Sequence, residues 1–420
     1  MQLLKKRQNL FVYVTVLFLV AIHLLIVSSI LFENPSIIWP LHNDTIHRVG
    51  PAADFYGVYH AGVNVSRGFS PYATAPDGIT PNFYAFRYLP ILAIAAQLFT
   101  LASPQVAYIF WIVILEGILA LLIGAIWRKS SDPRVSLTIT AALLLNSPYF
   151  LEIYMGQFTF VSIALCCLAL MVRSNVPMLC ASILVKPIGL AALPAFALHR
   201  SLRPAVAYAL PAVLLLSFPH FVRHPDQWSH FFASNFELSG GLDPGNYGFL
   251  RFLHLVVTDV GLDVVLQSWL FFVSTFRFLV FSGTLLVVLF SRRRSAHAAV
   301  CALLLSHLLT YQHVWEHHIT AVCVLAATCA ANFDARDRTS RVALISLVVL
   351  ALPTPYVLFD AAKNPAVWDP SLNWPRYADY VIVLFKVAPT VALFVAVMRE
   401  LTRKGLMSLP EAIKSARSGT

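Results

Sequence analysis

Asp54, Arg87, Gln157, Lys186, Asn246, Arg251 and the histidine-rich run His313 to His318 bring polar or ionisable groups into a predominantly apolar chain. A carboxylate with cations in reach could take a proton from a hydroxyl while the cations steady a growing negative charge. Asp54 is the candidate base. Pro51 ahead of it and Gly68 behind it suit the start and stop of one short helix. An aspartate at a helix start also caps it, which needs no chemistry, and the dipole there keeps a carboxylate ionised. Gln157 reads either as a helix-end cap or as a sugar ligand. Lys186, before Pro187, reads either as a phosphate ligand or as a side chain reaching for the interface. Arg87, His317 and His318 complete the cationic set, with Arg251 in reserve. His313 and His317 stand at i, i+4 and could hold a metal, but the ligand set is incomplete and a phosphate partner suits the charges better. Tyr56, Tyr59, Phe69, Tyr72 and Trp315 would form an aromatic belt or floor a sugar site.

The elements that must position these groups follow from composition. Of 420 residues, 58% are hydrophobic and 12% charged, too little polar surface to cover a water-soluble globule. The chain reads as an all-α polytopic membrane protein. Its net charge of +10 lies in short basic clusters between apolar runs, the pattern that orients a chain in a bilayer, so nucleic acid is not an expected partner. The six cysteines, Cys166, Cys167, Cys180, Cys301, Cys323 and Cys329, all fall inside apolar runs and read as core packing.

Lys5 to Arg7 precede a retained first span, Leu10 to Phe32, with the N-terminus inside. With the later basic clusters also inside, about twelve crossings result. Residues 1–400 then form one integral membrane domain and 401–420 a cytoplasmic tail. Three outer loops are expected, 33–87, 222–263 and 360–376. Ile91 to Leu101 reads as a short re-entrant segment, because a full crossing there would put Arg128, Lys129 and Arg134 outside. The run between Arg173 and Arg200 should break at Lys186 and Pro187. This topology brings Asp54, Arg87, Gln157, Lys186, Asn246 and His313 to His318 to one face, which implies a water-accessible cavity at bilayer depth.

Certain motifs, in order, carry a resemblance: Asp54-Phe55-Tyr56-x-x-Tyr59, Gly68-x-Ser70-Pro71-Tyr72, Tyr88-Leu89-Pro90, Gly156-Gln157, Lys186-Pro187 and Trp315-Glu316-His317-His318. From about residue 10 to 400 the chain resembles glycosyltransferase family 87, polytopic enzymes of the C-type glycosyltransferase (GT-C) fold. That family usually has Tyr-Pro-Pro where this chain has Tyr88-Leu89-Pro90, and a small hydroxyl residue where Glu316 stands.

The resemblance implies a hexosyltransferase, mannosyl by first choice, that uses a polyprenyl-phosphate sugar and inverts its anomeric carbon. Asp54 would be the base, with the late histidine pair approaching it. Lys186, Arg87, His317, His318 and Arg251 would hold the donor phosphate. Tyr56, Tyr59, Tyr72, Gln157, Asn246, Trp315 and Glu316 would bind sugar or acceptor. No cofactor is required and a divalent cation is optional. The expected partners are the lipid-linked donor, a lipid or glycan acceptor and the bilayer, with the site on the periplasmic face of the cytoplasmic membrane. Arabinofuranosyl transfer, a polysaccharide polymerase, and a lipid-linked sugar flippase or transporter are the alternatives. The missing internal repeat argues against the transporter.

Overall fold

Long apolar runs give unbroken helices here, and glycine or proline sets where some of the shorter ones stop, as at Gly156, Gly261 and Pro187. The computed structural model describes residues 2–32, 50–73, 84–172, 175–236, 246–293, 295–355 and 376–411. Its helices are α1 (Gln2–Leu31), α2 (Ala53–Ser66), α3 (Pro90–Ala96), α4 (Pro104–Lys129), α5 (Pro133–Leu144) and α6 (Ser147–Met155). They continue as α7 (Thr159–Met171), α8 (Asn175–Val185), α9 (Leu193–Leu198), α10 (Arg203–Arg223), α11 (Gln227–Phe236) and α12 (Phe249–Val260). The last are α13 (Asp263–Gln267), α14 (Trp269–Phe290), α15 (Ala296–Thr310), α16 (Ile319–Asn332), α17 (Arg338–Ala351) and α18 (Arg376–Thr402). Among the described residues there is no strand, only an isolated bridge between Ser291 and Leu406.

Among those residues, five helices are long and apolar enough to cross a membrane: Leu10–Leu31, Pro104–Lys129, Arg203–Arg223, Trp269–Phe290 and Tyr377–Thr402. The pair α6 and α7, bent by 118°, adds a sixth if it counts as one span. Several apolar helices of this kind fit a membrane protein. The further crossings expected from the sequence fall on shorter helices. The 14 residues of α16 or α17 reach ~21 Å at ~1.5 Å per residue, less than a hydrocarbon core of ~30 Å. The stretch read as re-entrant folds as the short α3 followed by a 3₁₀ turn, Phe99–Leu101.

One expected outer loop, 222–263, is more helical than read. Segment 222–263 holds the end of α10, all of α11 and α12, and the first residue of α13, and Trp228 lies flat on Phe221 with ring centroids 4.0 Å apart. Loop 33–87 contains α2, while its residues 33–49 and 74–83 lie outside the described residues. Loop 360–376 lies outside them too, apart from Arg376 at the start of α18. In the tail, Arg292 and Glu411 pair at 2.9 Å.

One apolar cluster runs from Leu19 to Leu401, with α7, α15 and α16 buried almost throughout. Five of the cysteines are buried in it, Cys180 packs against it, and all are free. His23 fastens the largely exposed α1 to this core. Its Nδ1 meets the Leu144 carbonyl at 2.7 Å and its Nε2 meets Glu116 at 2.9 Å.

The bend between α6 and α7 is encoded locally. Asn146 caps α6 by accepting the Tyr149 N–H, and Gly156, at φ 66, ends it. A Cβ on Gly156 would also stand 2.5 Å from the Cβ of Phe55, so glycine lets α2 close onto the bend. At Lys186 the chain is extended, and Pro187 opens a 3₁₀ turn instead of continuing α8.

Candidate active site

Four pieces of chain meet around Asp54: the start of α2, the α6–α7 bend, the break after α8, and the turn Glu316–His318. The start of α2 carries no side-chain cap. Ala52 sits before it at φ 60, a left-handed conformation unusual for alanine, and its N–H is held by the Tyr154 carbonyl at 2.7 Å. Asp54 follows in the first turn, partly buried, and its Oδ2 has no hydrogen-bond partner. Capping therefore does not explain this aspartate. Its surroundings are Lys186, whose charge acts on it most strongly, the Gln157 side chain and the weaker charge effect of Arg87. Burial raises Asp54 to about 6, and those three groups pull the other way without cancelling it.

Lys186 is positioned from two sides. Its Nζ donates to Thr159 Oγ1 at 2.6 Å, at the first residue of α7. Ser162 Oγ donates to the carbonyls of Ser182 and Lys186 at 2.9 and 3.0 Å, and Ser182 Oγ donates back to the Ser162 carbonyl at 2.7 Å. These bonds lash α7 to α8 just before the break. Glu152, fully buried on α6, accepts the Phe160 N–H at 2.5 Å and so caps α7 across the bend. Its other oxygen has no partner, and Lys186 and Asp54 are both within its electrostatic reach.

The histidine turn supplies the facing wall. The Trp315 N–H donates to His318 Nδ1 at 3.1 Å, so in the neutral ring the proton is on Nε2. That Nε2 lies 3.5 Å from Lys186 Nζ, bringing two N–H donors together with no acceptor between them. Two such donors suit an anion. The His317 ring lies against His318, tilted by 43° with centroids 4.2 Å apart, and both of its buried ring nitrogens lack partners. Burial, then Lys186, pushes His317 well below the ordinary imidazole value. Burial, then His317 and Lys186, does the same to His318. Positive charge near Asp54 thus comes from Lys186 and Arg87.

Other residues singled out in the sequence are also engaged here. Asn246 donates to the Gln312 carbonyl at 2.5 Å and accepts from Gly248 and Val314, tying its loop to the histidine segment. The Glu316 carboxylate accepts from Thr354 at 2.6 Å and lies 3.7 Å from Lys386. Tyr59 donates to the Ala102 carbonyl and Tyr72 to the Tyr88 carbonyl, while Tyr56 packs against Phe55 and Tyr108, so these three tyrosines are core. Phe69 is exposed and Trp315 partly so, on different elements. Arg87 is exposed, and Arg251 stands in the first turn of α12. Among the described residues no three His, Cys, Asp or Glu side chains form a metal-holding group.

A family model for glycosyltransferase family 87 matches residues 86–311. The chain belongs to glycosyltransferase family 87. No curated protein matches it at a significant level. The stretch matched to family 87 carries Arg87, Gln157, Lys186, Asn246 and Arg251. Asp54 and the histidine pair lie on either side of that stretch, and the fold brings them to it.

Glu152, Thr159 and Lys386 were not singled out in the sequence. Two of them carried a signal, since a lone charge inside an apolar run is costly and seldom idle. Lys386 is fully buried and donates to the Leu350 and Leu352 carbonyls at 3.0 and 2.6 Å, besides pairing with Glu316. Lys386→Met strands the buried Glu316 charge and should cost about 3–5 kcal/mol. The readout is a lower unfolding midpoint in detergent, part of which returns when Glu316→Gln is added.

Proposed function

We propose that the chain transfers a hexosyl group, mannosyl by first choice, from a polyprenyl-phosphate sugar to a hydroxyl of a lipid or glycan acceptor, inverting the anomeric carbon. The site would face the outside of the cytoplasmic membrane. One observation carries this reading: an Asp54 oxygen without a hydrogen-bond partner stands in the field of Lys186, whose Nζ lies 3.5 Å from His318 Nε2, so that one anionic oxygen beside the two nitrogens can accept from both. A base and an anion-binding pair are what an inverting displacement with a phosphate leaving group needs.

Asp54 takes the proton of the acceptor hydroxyl as that oxygen bonds to the anomeric carbon. The bond from that carbon to the phosphate oxygen breaks on the opposite face, and its electron pair leaves with the polyprenyl monophosphate. Lys186 and His318 donate to the phosphate oxygens as charge grows there, with Arg87 adding its field. Glu152 holds the start of α7, and with it Thr159, under the Lys186 ammonium.

The base must be ionised, and Asp54 is raised to about 6. Therefore kcat/KM should climb as pH rises through about 6 and level off above it, which initial rates between about pH 5 and 8 would show. The reading itself is tested with purified protein in liposomes, labelled short-chain polyprenyl-phosphate mannose and membrane lipids as acceptors. Label covalently transferred, with polyprenyl monophosphate released, supports it. Donor recovered intact while moved across the bilayer supports the flippase reading and overturns this one.

A further inference from the structure

Charges buried in the membrane-length helices have partners, with one exception. Glu116 of α4 meets His23, Lys386 of α18 meets Glu316, and Glu400 of α18 meets Arg293. Arg277 has neither an ion pair nor a hydrogen bond among the described residues. It lies about 12 Å along α14 from Trp269, well inside a segment of membrane-crossing length and composition. A guanidinium there is costly unless something negative meets it.

The position is a particular one. α14 is among the least buried helices of the fold, with 17% of its apolar window covered, and it packs along α15. Arg277 is partly buried and is an electrostatic neighbour of Tyr311, just past the end of α15, and of His307 within α15. From Tyr311 a file of rings runs inward. The Tyr311 ring lies 5.7 Å from His307 and 5.6 Å from His318, and His318 reaches Lys186 at 3.5 Å. Arg277 thus marks the membrane-facing end of a polar path whose inner end is the anion-binding pair. The rings along it are a phenol and two imidazoles, with no carboxylate among them.

We propose that Arg277 is a binding residue for the phosphate of a lipid-borne monophosphate, which reaches the site sideways from the bilayer past α14. This rests on the reading of the chain as a lipid-phosphate-sugar transferase. It adds the route by which the donor arrives and a ligand for it on a helix that the sequence reading left out of the site. A guanidinium matches phosphate bidentately, and its planar fork is suited to a group sliding past it. Arg277 makes its contact at the entrance and does not touch the anomeric carbon, so its effect belongs on binding.

The experiment measures binding of a labelled short-chain polyprenyl monophosphate, which carries no sugar, to purified wild type, Arg277→Gln and Arg277→Lys. The same three proteins are assayed for transfer. Arg277→Gln is expected to weaken binding, and to raise KM for the lipid donor, by about 10- to 100-fold. Its kcat should stay within about threefold of wild type, and Arg277→Lys should recover part of the affinity because it restores the charge alone. Inorganic phosphate and the neutral polyprenol should compete poorly, since the site needs both chain and charge. Wild-type binding and KM in Arg277→Gln would overturn the proposal, and so would equal competition by inorganic phosphate. If Arg277→Gln does not fold, undiminished affinity of a folded Arg277→Glu or Arg277→Met variant overturns it equally. Absence of transfer in all three proteins would sink the transferase reading instead, and the binding arm would still decide on Arg277.

Discussion

Asp54→Asn is expected to stop sugar transfer while leaving the protein folded and the donor bound. Asparagine keeps the shape and can keep the contact with Gln157, but it cannot take a proton. The loss should be about 10²- to 10⁴-fold, the usual contribution of a positioned base. Folding should not suffer, because the start of α2 is held by the Ala52 N–H on Tyr154 and not by the Asp54 side chain. Burial raises Asp54 to about 6, so the folded chain disfavours its ionised form. That penalty is fully present above about pH 6 and absent below the ordinary carboxylate range. At neutral pH the asparagine variant should therefore unfold at the same temperature as wild type or slightly higher. Parallel transfer, donor-binding and thermal unfolding assays check all three points, and wild-type turnover in the variant would rule out Asp54 as the base.

Lys186→Met should be nearly as damaging, and through two separable effects. The first is loss of a donor to the leaving phosphate, worth about 10²- to 10³-fold in kcat for a well-placed group. The second acts on Asp54. Lys186 is the largest charge holding that carboxylate down, so its removal moves Asp54 further above 6. The acid limb of the pH profile should consequently shift to higher pH, and part of the lost rate should return under alkaline conditions. A variant that lost rate by misfolding would show no such displacement. Glu152, which also feels Lys186, would keep its bond to the Phe160 N–H and the α6–α7 bend with it.

Much of the site could be read along the chain because its signals are local. Pro51 and Gly68 bracket α2, Gly156 carries the positive φ of a helix end, and Pro187 forces the break beside Lys186. The all-helical membrane character followed from apolar content alone. What escaped was set by distant contacts. Nothing near Glu152 announces that it will cap a helix eight residues on, across a sharp bend. Nothing near Glu316 announces Lys386 and Thr354. Segment 222–263 looked like loop because its polar residues fall between apolar ones, yet Gln227–Phe236 and Phe249–Val260 form helices that pack by their aromatic faces. The tyrosines of α2, read as an aromatic belt or the floor of a sugar site, are buried, because polarity at one hydroxyl is settled by a single carbonyl such as that of Ala102.

The contrast between long outer helices and short inner ones has a mechanical consequence. A bilayer thicker or thinner than the helices prefer is accommodated by tilting the segments that face lipid. Those are above all α1 and α14, while Asp54, Lys186 and His318 sit on short pieces of chain joined to one another by hydrogen bonds and close packing. Changes in lipid chain length would accordingly reorient the helix that carries Arg277 and leave the reacting groups in register. On the proposed lateral route, membrane thickness would then govern how readily a lipid-borne substrate is admitted, while the chemistry behind it would keep its own pace.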